Sequence, residues 1–348
     1  MKIIHIESGL GNQMLSYCEL LAIRKMNPND SYYVETIVFD IPECNETICQ
    51  WNGYELGRVF NIDTPNVREL FDDNTWNALM TEVRESQFWN NHWNWPVYIT
   101  KALNNAGLNL INLYGDREYK ANPNMNKVRL RSLLKKSEFI YALQRSYLDH
   151  FFQKKRIAAF DQKKMVYIKS DDNLFTGQRL SFKYRNNGIE IIKDDIDEAF
   201  KFPPFKTKRN SDFAHYLETC NSVFIHARRG DMLSANGWCY KYGYFKRAVK
   251  YIKKHVDAPV FVFFTNTGSI EWCKENAKIF GLDYSKDTIR FVDWNTGHES
   301  FRDMQLMGLC KHGIITNSTF GWWGAYFIKN INKITISPLV EINTTHHC

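Results

Sequence analysis

Uninterrupted apolar runs, each closing in small or polar residues and followed by helically spaced ones, mark the last third of the chain. Residues 223–227 (Val-Phe-Ile-His-Ala) and 260–265 (Val-Phe-Val-Phe-Phe-Thr) lack the alternation of a half-exposed strand and predict strands covered on both faces. Further strands are predicted over 289–292, 313–316 and 333–337, with helices over 242–255, 270–280, 301–311 and 320–330. Strands alternating with helices of about ten residues or more predict an α/β fold with a parallel, doubly wound sheet. The first 30 residues repeat that grammar, with a strand over 2–6, a glycine turn and a helix over 12–26. From about 30 to 200 the pattern is harder to assign and rich in aromatics, among them Trp76, Trp89, Trp93 and Trp95. Residues 201–210 are basic and interrupted by Pro203 and Pro204, and read as a linker between domains 1–205 and 206–348.

Composition narrows the classes. With 348 residues, two domains that each bury a core are expected. A charged fraction of 24% beside 44% hydrophobic residues excludes a disordered chain. No stretch has the apolar length of a membrane span. The opening, Met1-Lys2-Ile3-Ile4-His5-Ile6, runs straight into a glycine turn, so neither a signal peptide nor an anchor is expected, and the location expected is cytoplasmic. The eight cysteines form no CxxC pair and predict reduced, mostly buried thiols rather than disulfides or a zinc site. The net charge of +7 suits a phosphate-bearing substrate and, at most, peripheral contact with an anionic membrane, without a nucleic-acid patch.

Candidate chemistry gathers at strand ends, where open α/β sheets bind ligands. The strand at 223–227 ends in His226-Ala227-Arg228-Arg229-Gly230-Asp231. Two guanidiniums there are shaped to hold diphosphate oxygens in their forks, Gly230 permits the turn, and Asp231 can orient an arginine or take a proton. Without a ligand, the same pair would simply close a strand with an ion pair. The strand at 313–316 ends in Asn317-Ser318-Thr319 before the aromatic run Phe320-Gly321-Trp322-Trp323-Gly324. N–H groups at a helix start, with the Ser318 and Thr319 hydroxyls, form an anion seat, although Ser and Thr are also ordinary N-caps. Trp322 and Trp323 are expected in the core, and the Asn317-Ser318-Thr319 glycosylation pattern is coincidental in a buried turn. The first turn, Glu7-Ser8-Gly9-Leu10-Gly11-Asn12-Gln13-Met14, lacks the third glycine of a dinucleotide fingerprint and reads as a turn presenting Asn12 and Gln13. The acidic pairs Asp195/Asp197 and Asp171/Asp172 follow no buried strand, which argues against a metal-dependent sugar transferase.

At these stretches the chain resembles the α-1,2-fucosyltransferases of glycosyltransferase family 11. The resemblance lies in Gly9-Leu10-Gly11-Asn12-Gln13-Met14, in His226-Ala227-Arg228-Arg229-Gly230-Asp231 and in the run from Cys310 to Ala325. Asp293-Trp294-Asn295, Phe301-Arg302-Asp303-Met304, Trp51-Asn52-Gly53-Tyr54 and Glu271-Trp272-Cys273 are similar to that family as well. It implies a GT-B-like architecture of two Rossmann-like domains facing a cleft. It also implies GDP-fucose as donor, a galactose-containing oligosaccharide or lipid-linked glycan as acceptor, and neither cofactor nor metal. By this resemblance Arg228 holds the β-phosphate and Arg229 supports it. Ser318 and Thr319 cap the diphosphate beside Asn317, His226 lies near the guanine, and Asn12 stands between acceptor and phosphate. The catalytic set expected is Arg228, Arg229, Asp231 and Asn12.

Departures from that pattern carry expectations of their own. Ser8 stands where the family's first glycine does, and Ser16 where a second glutamine does. Asn266 follows the strand at 260–265 in place of an acidic residue; a carboxylate accepts both guanine edge N–H groups more strongly than an amide does. That leaves two other readings: a transferase using a different nucleotide sugar, and a non-catalytic nucleotide- or sugar-binding protein on the same fold. Asp231, Glu7 and His5 are the candidate general bases, together with the departing phosphate itself.

Overall fold

The computed structural model of the chain describes residues 1–49, 52–112, 170–177 and 189–338. Trp51, Cys348 and most of the segment between 113 and 188 therefore lie outside the described residues. The chain divides into two compact units, each α/β around its own parallel sheet. Among the described residues no helix is long and apolar enough to cross a membrane.

The first unit comprises Met1–Ser8, Gln13–Tyr54 and Asp63–Ala199. Its strands are β1 (Lys2–His5), β2 (Tyr32–Glu35), β3 (Ile111–Asn112) and β4 (Leu174–Thr176), in the order β2-β1-β4-β3. β1 is buried along its whole length because it is central, with parallel partners on both sides. The helix Leu10–Met26 follows it, and Arg24 and Lys25 in its last turn complement the helix dipole. The tryptophan-rich stretch fills a core. Trp95 is fully buried and Trp93 nearly so, packed with Phe88, Ile99, Leu103 and Phe175.

The second unit comprises Gly9–Asn12, Glu55–Ile62 and the chain from Phe200 onward. Its strands are β5 (Ser222–Ala227), β6 (Val260–Thr265), β7 (Thr288–Val292), β8 (His312–Ile315) and β9 (Thr335–Ile336). They run parallel in the order β7-β6-β5-β8-β9. The sequence order thus reverses between β5 and β8, which makes the gap beyond their carboxyl ends the topological switch point. Phe224, Phe261, Phe263 and Phe264 are each at most 1% exposed, which accounts for the unbroken apolar runs.

The strands form where the apolar runs predict them. The helices differ more. The stretch expected as one helix over 270–280 is two, Ile270–Glu275 and Ala277–Phe280, because the chain breaks at Asn276 and then stops at Gly281 in the left-handed region. A helix over Leu233–Lys241 arises where none is predicted, since its Ser, Asn and Gly residues give no periodic apolar signal. The 201–210 segment has neither helix nor strand up to Thr207, whose hydroxyl accepts from the Asn210 N–H and starts the helix Lys208–Thr219. Arg302, only 1% exposed, donates to the Pro203 carbonyl at 2.7 Å and so pins this segment to the second unit. The seven described cysteines form no disulfide with one another, and burial raises the Cys273 pKa to about 12. Asp195 lies in the helix Ile189–Ala199 and pairs with Lys25, as a surface helix residue would.

Candidate functional site

In the second unit the candidate donor residues converge on the switch point. β5 ends at Ala227, and neighbouring strands pin the turn beyond it. The Thr265 hydroxyl of β6 donates to the Ala227 carbonyl at 2.7 Å. Beyond β8, Thr316 donates to the His226 carbonyl and accepts from the Arg228 N–H, both at 3.2 Å. The Arg229 N–H donates to Asn266 Oδ1 at 2.9 Å. Gly230 comes next at φ +53°, a conformation that glycine adopts without the steric cost of a Cβ. Both arginines are half-buried. The Arg229 guanidinium lies 3.3 Å from the Trp272 ring centroid and 5.0 Å from that of Tyr240, so its plane is fixed by aromatic faces. Tyr240 also donates to the Arg228 carbonyl at 2.9 Å.

Across the switch point, Ser318 precedes the helix Thr319–Phe327, and both Ser318 and Thr319 are half-buried. Ser318 makes no side-chain cap to this helix, so its hydroxyl is not spent on the first-turn N–H groups. Asn317 is 6% exposed and held from behind. Its N–H donates to Asn236 Oδ1 at 3.0 Å, and its carbonyl accepts from Asn236 Nδ2 at 3.3 Å. Asn236, fully buried, also reaches the Arg228 carbonyl at 3.5 Å and so ties the two strand-end turns together. Gly11 completes the arrangement. A Cβ at Gly11 would stand 2.8 Å from the Phe320 nitrogen and 2.8 Å from Thr319 Oγ1, closer than real contacts allow. The fully buried Trp323 donates from its indole to the Gly11 carbonyl at 3.0 Å, fastening Gly9–Asn12 to the start of the helix Thr319–Phe327; Leu10–Asn12, expected as a turn, already belong to the helix Leu10–Met26.

The structure therefore brings Arg228, Arg229, Ser318 and Thr319 to one strand-end region, with Asn12 following Gly11 in the first turn of the helix Leu10–Met26. Asn266 shapes the backbone, whereas Asn317 is held through its own main chain by Asn236. Asn266 Oδ1 takes the Arg229 N–H, and Asn266 Nδ2 lies where a Gly230 Cβ would stand. Asp231 is in the short turn Gly230–Met232; its side chain lies outside the described residues. His226 is 3% exposed, beneath the first turn of the helix, with its ring tilted on Phe320 at 5.9 Å. Sequence reasoning missed Asn236, Tyr240 and Trp272 as supports. Their role depends on a helix without apolar periodicity and on pairings distant in sequence. Thr316 sits inside the recognised motif, and its place directly after a buried strand was the available signal.

Burial and the neighbouring Arg228 charge lower the His226 pKa to about 3. The unfolded chain accepts this proton near pH 6.5 and the folded chain refuses it until about pH 3. Stability is therefore complete above about pH 6.5 and is lost as pH falls from there, by at most about 1.4 kcal/mol per unit. Denaturant titrations across that window should show a shallower acid loss for His226→Gln, and an unchanged slope would contradict this. Some loss should remain, because burial also lowers the His312 pKa.

The first unit holds a second polar cluster, at the end of β1. His5 is fully buried, stacked on Trp95 at 3.7 Å, with Nδ1 2.5 Å from Glu35 Oε2 and Nε2 3.4 Å from Glu7 Oε2. Trp93 donates to that Glu7 oxygen at 2.5 Å. Burial alone would depress the His5 pKa, but Glu35 and Glu7 outweigh it and the net direction is upward. Ser8 lies just beyond at φ +68°, and its carbonyl accepts from Gln13 Nε2, which also holds the Gly53 carbonyl. A side chain in this left-handed conformation costs about 1 kcal/mol. Ser8→Gly should therefore raise the unfolding free energy by roughly that amount in urea titrations. A fall would mean that the serine side chain contributes more than its strain costs. Among the described residues, no group of three or more His, Cys, Asp and Glu side chains is placed to hold a metal ion.

Part of the chain is similar to known proteins. Residues 192–344 match the family model Glycosyl transferase family 11. An α-1,2-colitosyltransferase of Escherichia coli is 36% identical over 135 residues, 36% of this chain and 43% of that protein. Galactoside α-(1,2)-fucosyltransferase 1 of Saimiri sciureus is 34% identical over 109 residues, 30% of this chain and 28% of that one. The chain thus spans less than half the length of these relatives. Among solved structures, the fucosyltransferase NodZ from Bradyrhizobium matches with a TM-score of 0.46 at 10% identity, covering 93% of this chain and 91% of that one.

Proposed function

We propose that this chain, whose residues 192–344 carry the glycosyl transferase family 11 signature, transfers L-fucose from GDP-fucose to the 2-hydroxyl of a β-galactoside with inversion. The observation that carries the reading is the pinned Arg228–Arg229 turn opposite a helix start at the switch point of the second sheet. Such a pairing suits a diphosphate, because guanidinium forks and first-turn N–H groups both favour dense negative charge.

Transfer breaks the bond between fucose C1 and the β-phosphate oxygen, and forms one between C1 and the acceptor oxygen from the opposite face. As the bond loosens, positive charge spreads over C1 and the ring oxygen, while negative charge collects on GDP. Arg228 meets that charge directly. Arg229, held flat on Trp272, needs no rearrangement to do the same. The Ser318 and Thr319 hydroxyls and the first turn of their helix cap the phosphates. Asn12 orients the reacting groups, and the acceptor proton passes to Asp231 or to the departing phosphate. The acceptor is a galactose-containing oligosaccharide, free or lipid-linked, of a bacterial surface glycan.

Two observations support a second reading of the sugar alone: Asn266 is an amide engaged with the Arg229 N–H, and one relative is named for colitosyl transfer. Product NMR, with GDP-linked fucose and colitose offered separately to N-acetyllactosamine, tests both. An α-1,2 linkage from GDP-fucose is the expected result. Product from the colitose donor alone would move the assignment to the second reading, and product with another linkage would overturn the acceptor assignment.

A further inference from the structure

We infer that the outer face of the helix Tyr244–His255 is a docking surface for an anionic lipid membrane. Residues 232–256 contain six Lys and Arg and no Asp or Glu, against a net charge of +7 for the entire chain. Folding gathers these charges instead of dispersing them. The helix buries Tyr244, Phe245, Ala248, Val249 and Ile252, and the Tyr244 hydroxyl lies between the Ile315 carbonyl at 2.6 Å and the Ile336 carbonyl at 2.9 Å, to which it donates its one proton in alternation. That anchors one face against the ends of β8 and β9, so the opposite face is presented rigidly. It exposes Lys246, Arg247, Lys250, Lys253, Lys254 and His255, with Lys246, Lys250 and Lys254 one helical turn apart.

The acidic groups nearby compensate little of this. Asp287 pairs with Lys253 at 2.7 Å, and Asp257 lies beyond the helix end. Tyr251, 50% exposed and stacked on His255 at 4.1 Å, stands amid the lysines. A rigid row of cations around an exposed tyrosine matches the plane of anionic headgroups, where basic residues and aromatic rings both gain. The face is one convex helix side, without the groove and stacking platforms by which a nucleic-acid strand is held. Since the helix's apolar face is already buried in the core, attachment is electrostatic and reversible rather than insertive.

Co-sedimentation of the full chain with equimolar phosphatidylcholine–phosphatidylglycerol vesicles tests this at low ionic strength. The wild type should bind these vesicles, should not bind pure phosphatidylcholine, and should be released as salt shortens the Debye length. Lys246→Gln, Lys250→Gln and Lys254→Gln together should lower the partition coefficient by about a hundredfold, roughly fivefold for each charge. Glutamine keeps the aliphatic stem that Lys246 packs near Gly281, and circular dichroism of the triple variant checks that it folds. Absence of wild-type binding would overturn the inference, as would equal binding by the triple variant. Stronger capture of a duplex DNA probe than of the vesicles, at the same salt, would reassign the face to nucleic acid. The readout needs neither donor nor acceptor, so it stands or falls separately from the transferase reading.

Discussion

Arg228→Ala is expected to lower transfer turnover by about two to three orders of magnitude, the loss seen when one preorganised group leaves a developing oxyanion. The effect is large because the backbone around Arg228 is fixed before any substrate arrives. Thr316 takes its N–H, while Tyr240 and Asn236 donate to its carbonyl. In the proposed mechanism a side chain on so constrained a backbone meets the leaving phosphate without reorganising. The loss should fall mainly on kcat, since the charge that Arg228 meets grows in the transition state. Arg228→Lys should recover part of it, as a point charge remains but the two-pronged fork does not. Single-turnover measurements with saturating donor check this. More than a tenth of wild-type turnover in Arg228→Ala would contradict the proposed mechanism.

Gly11→Ala carries the second large effect, and it acts at a distance from the arginines. The new methyl would press on the Phe320 nitrogen and the Thr319 carbonyl carbon, 2.8 and 2.9 Å away. Backbone cannot yield as the tip of a lysine can, so either the Gly9–Asn12 segment or the start of the helix Thr319–Phe327 must move. Overpacking of this kind costs about 1–3 kcal/mol of stability. The helix start is also the proposed diphosphate cap, so GDP affinity should fall more than tenfold, a loss of about 1.4 kcal/mol in binding. Calorimetric GDP titration together with urea unfolding separates the two costs. A variant with lowered stability and unchanged GDP affinity would show that the Gly9–Asn12 segment props the fold but not the cap.

The second sheet was legible because its strands are covered on both faces, and Phe224, Phe261, Phe263 and Phe264 announce that burial without needing periodicity. The candidate donor residues were legible because two of these strands stop abruptly in polar turns. Other parts depend on pairings that no local pattern encodes. Gly9–Asn12 and Glu55–Ile62 pack with the second unit although they lie far ahead of it in sequence. Asn236 joins two turns from within a helix of small and polar residues. The His5–Glu7–Glu35 cluster was visible only as scattered strand-end residues, since its coherence comes from β1 and β2 lying side by side and from Trp93 arriving 86 positions later. The clustered tryptophans also show the limit of composition. Trp93 and Trp95 suit a sugar platform as well as a core, and packing alone decides for the core.

The central claim is that the two strand ends of the second sheet hold a GDP-linked sugar for transfer. Its most direct test is the rate of GDP release from GDP-fucose in the presence of EDTA, with and without lactose or N-acetyllactosamine. Release that depends on the galactoside, and that Arg228→Ala abolishes, is the predicted result. GDP binding without release, under every acceptor offered, would leave a nucleotide-binding protein in place of an enzyme and contradict the claim.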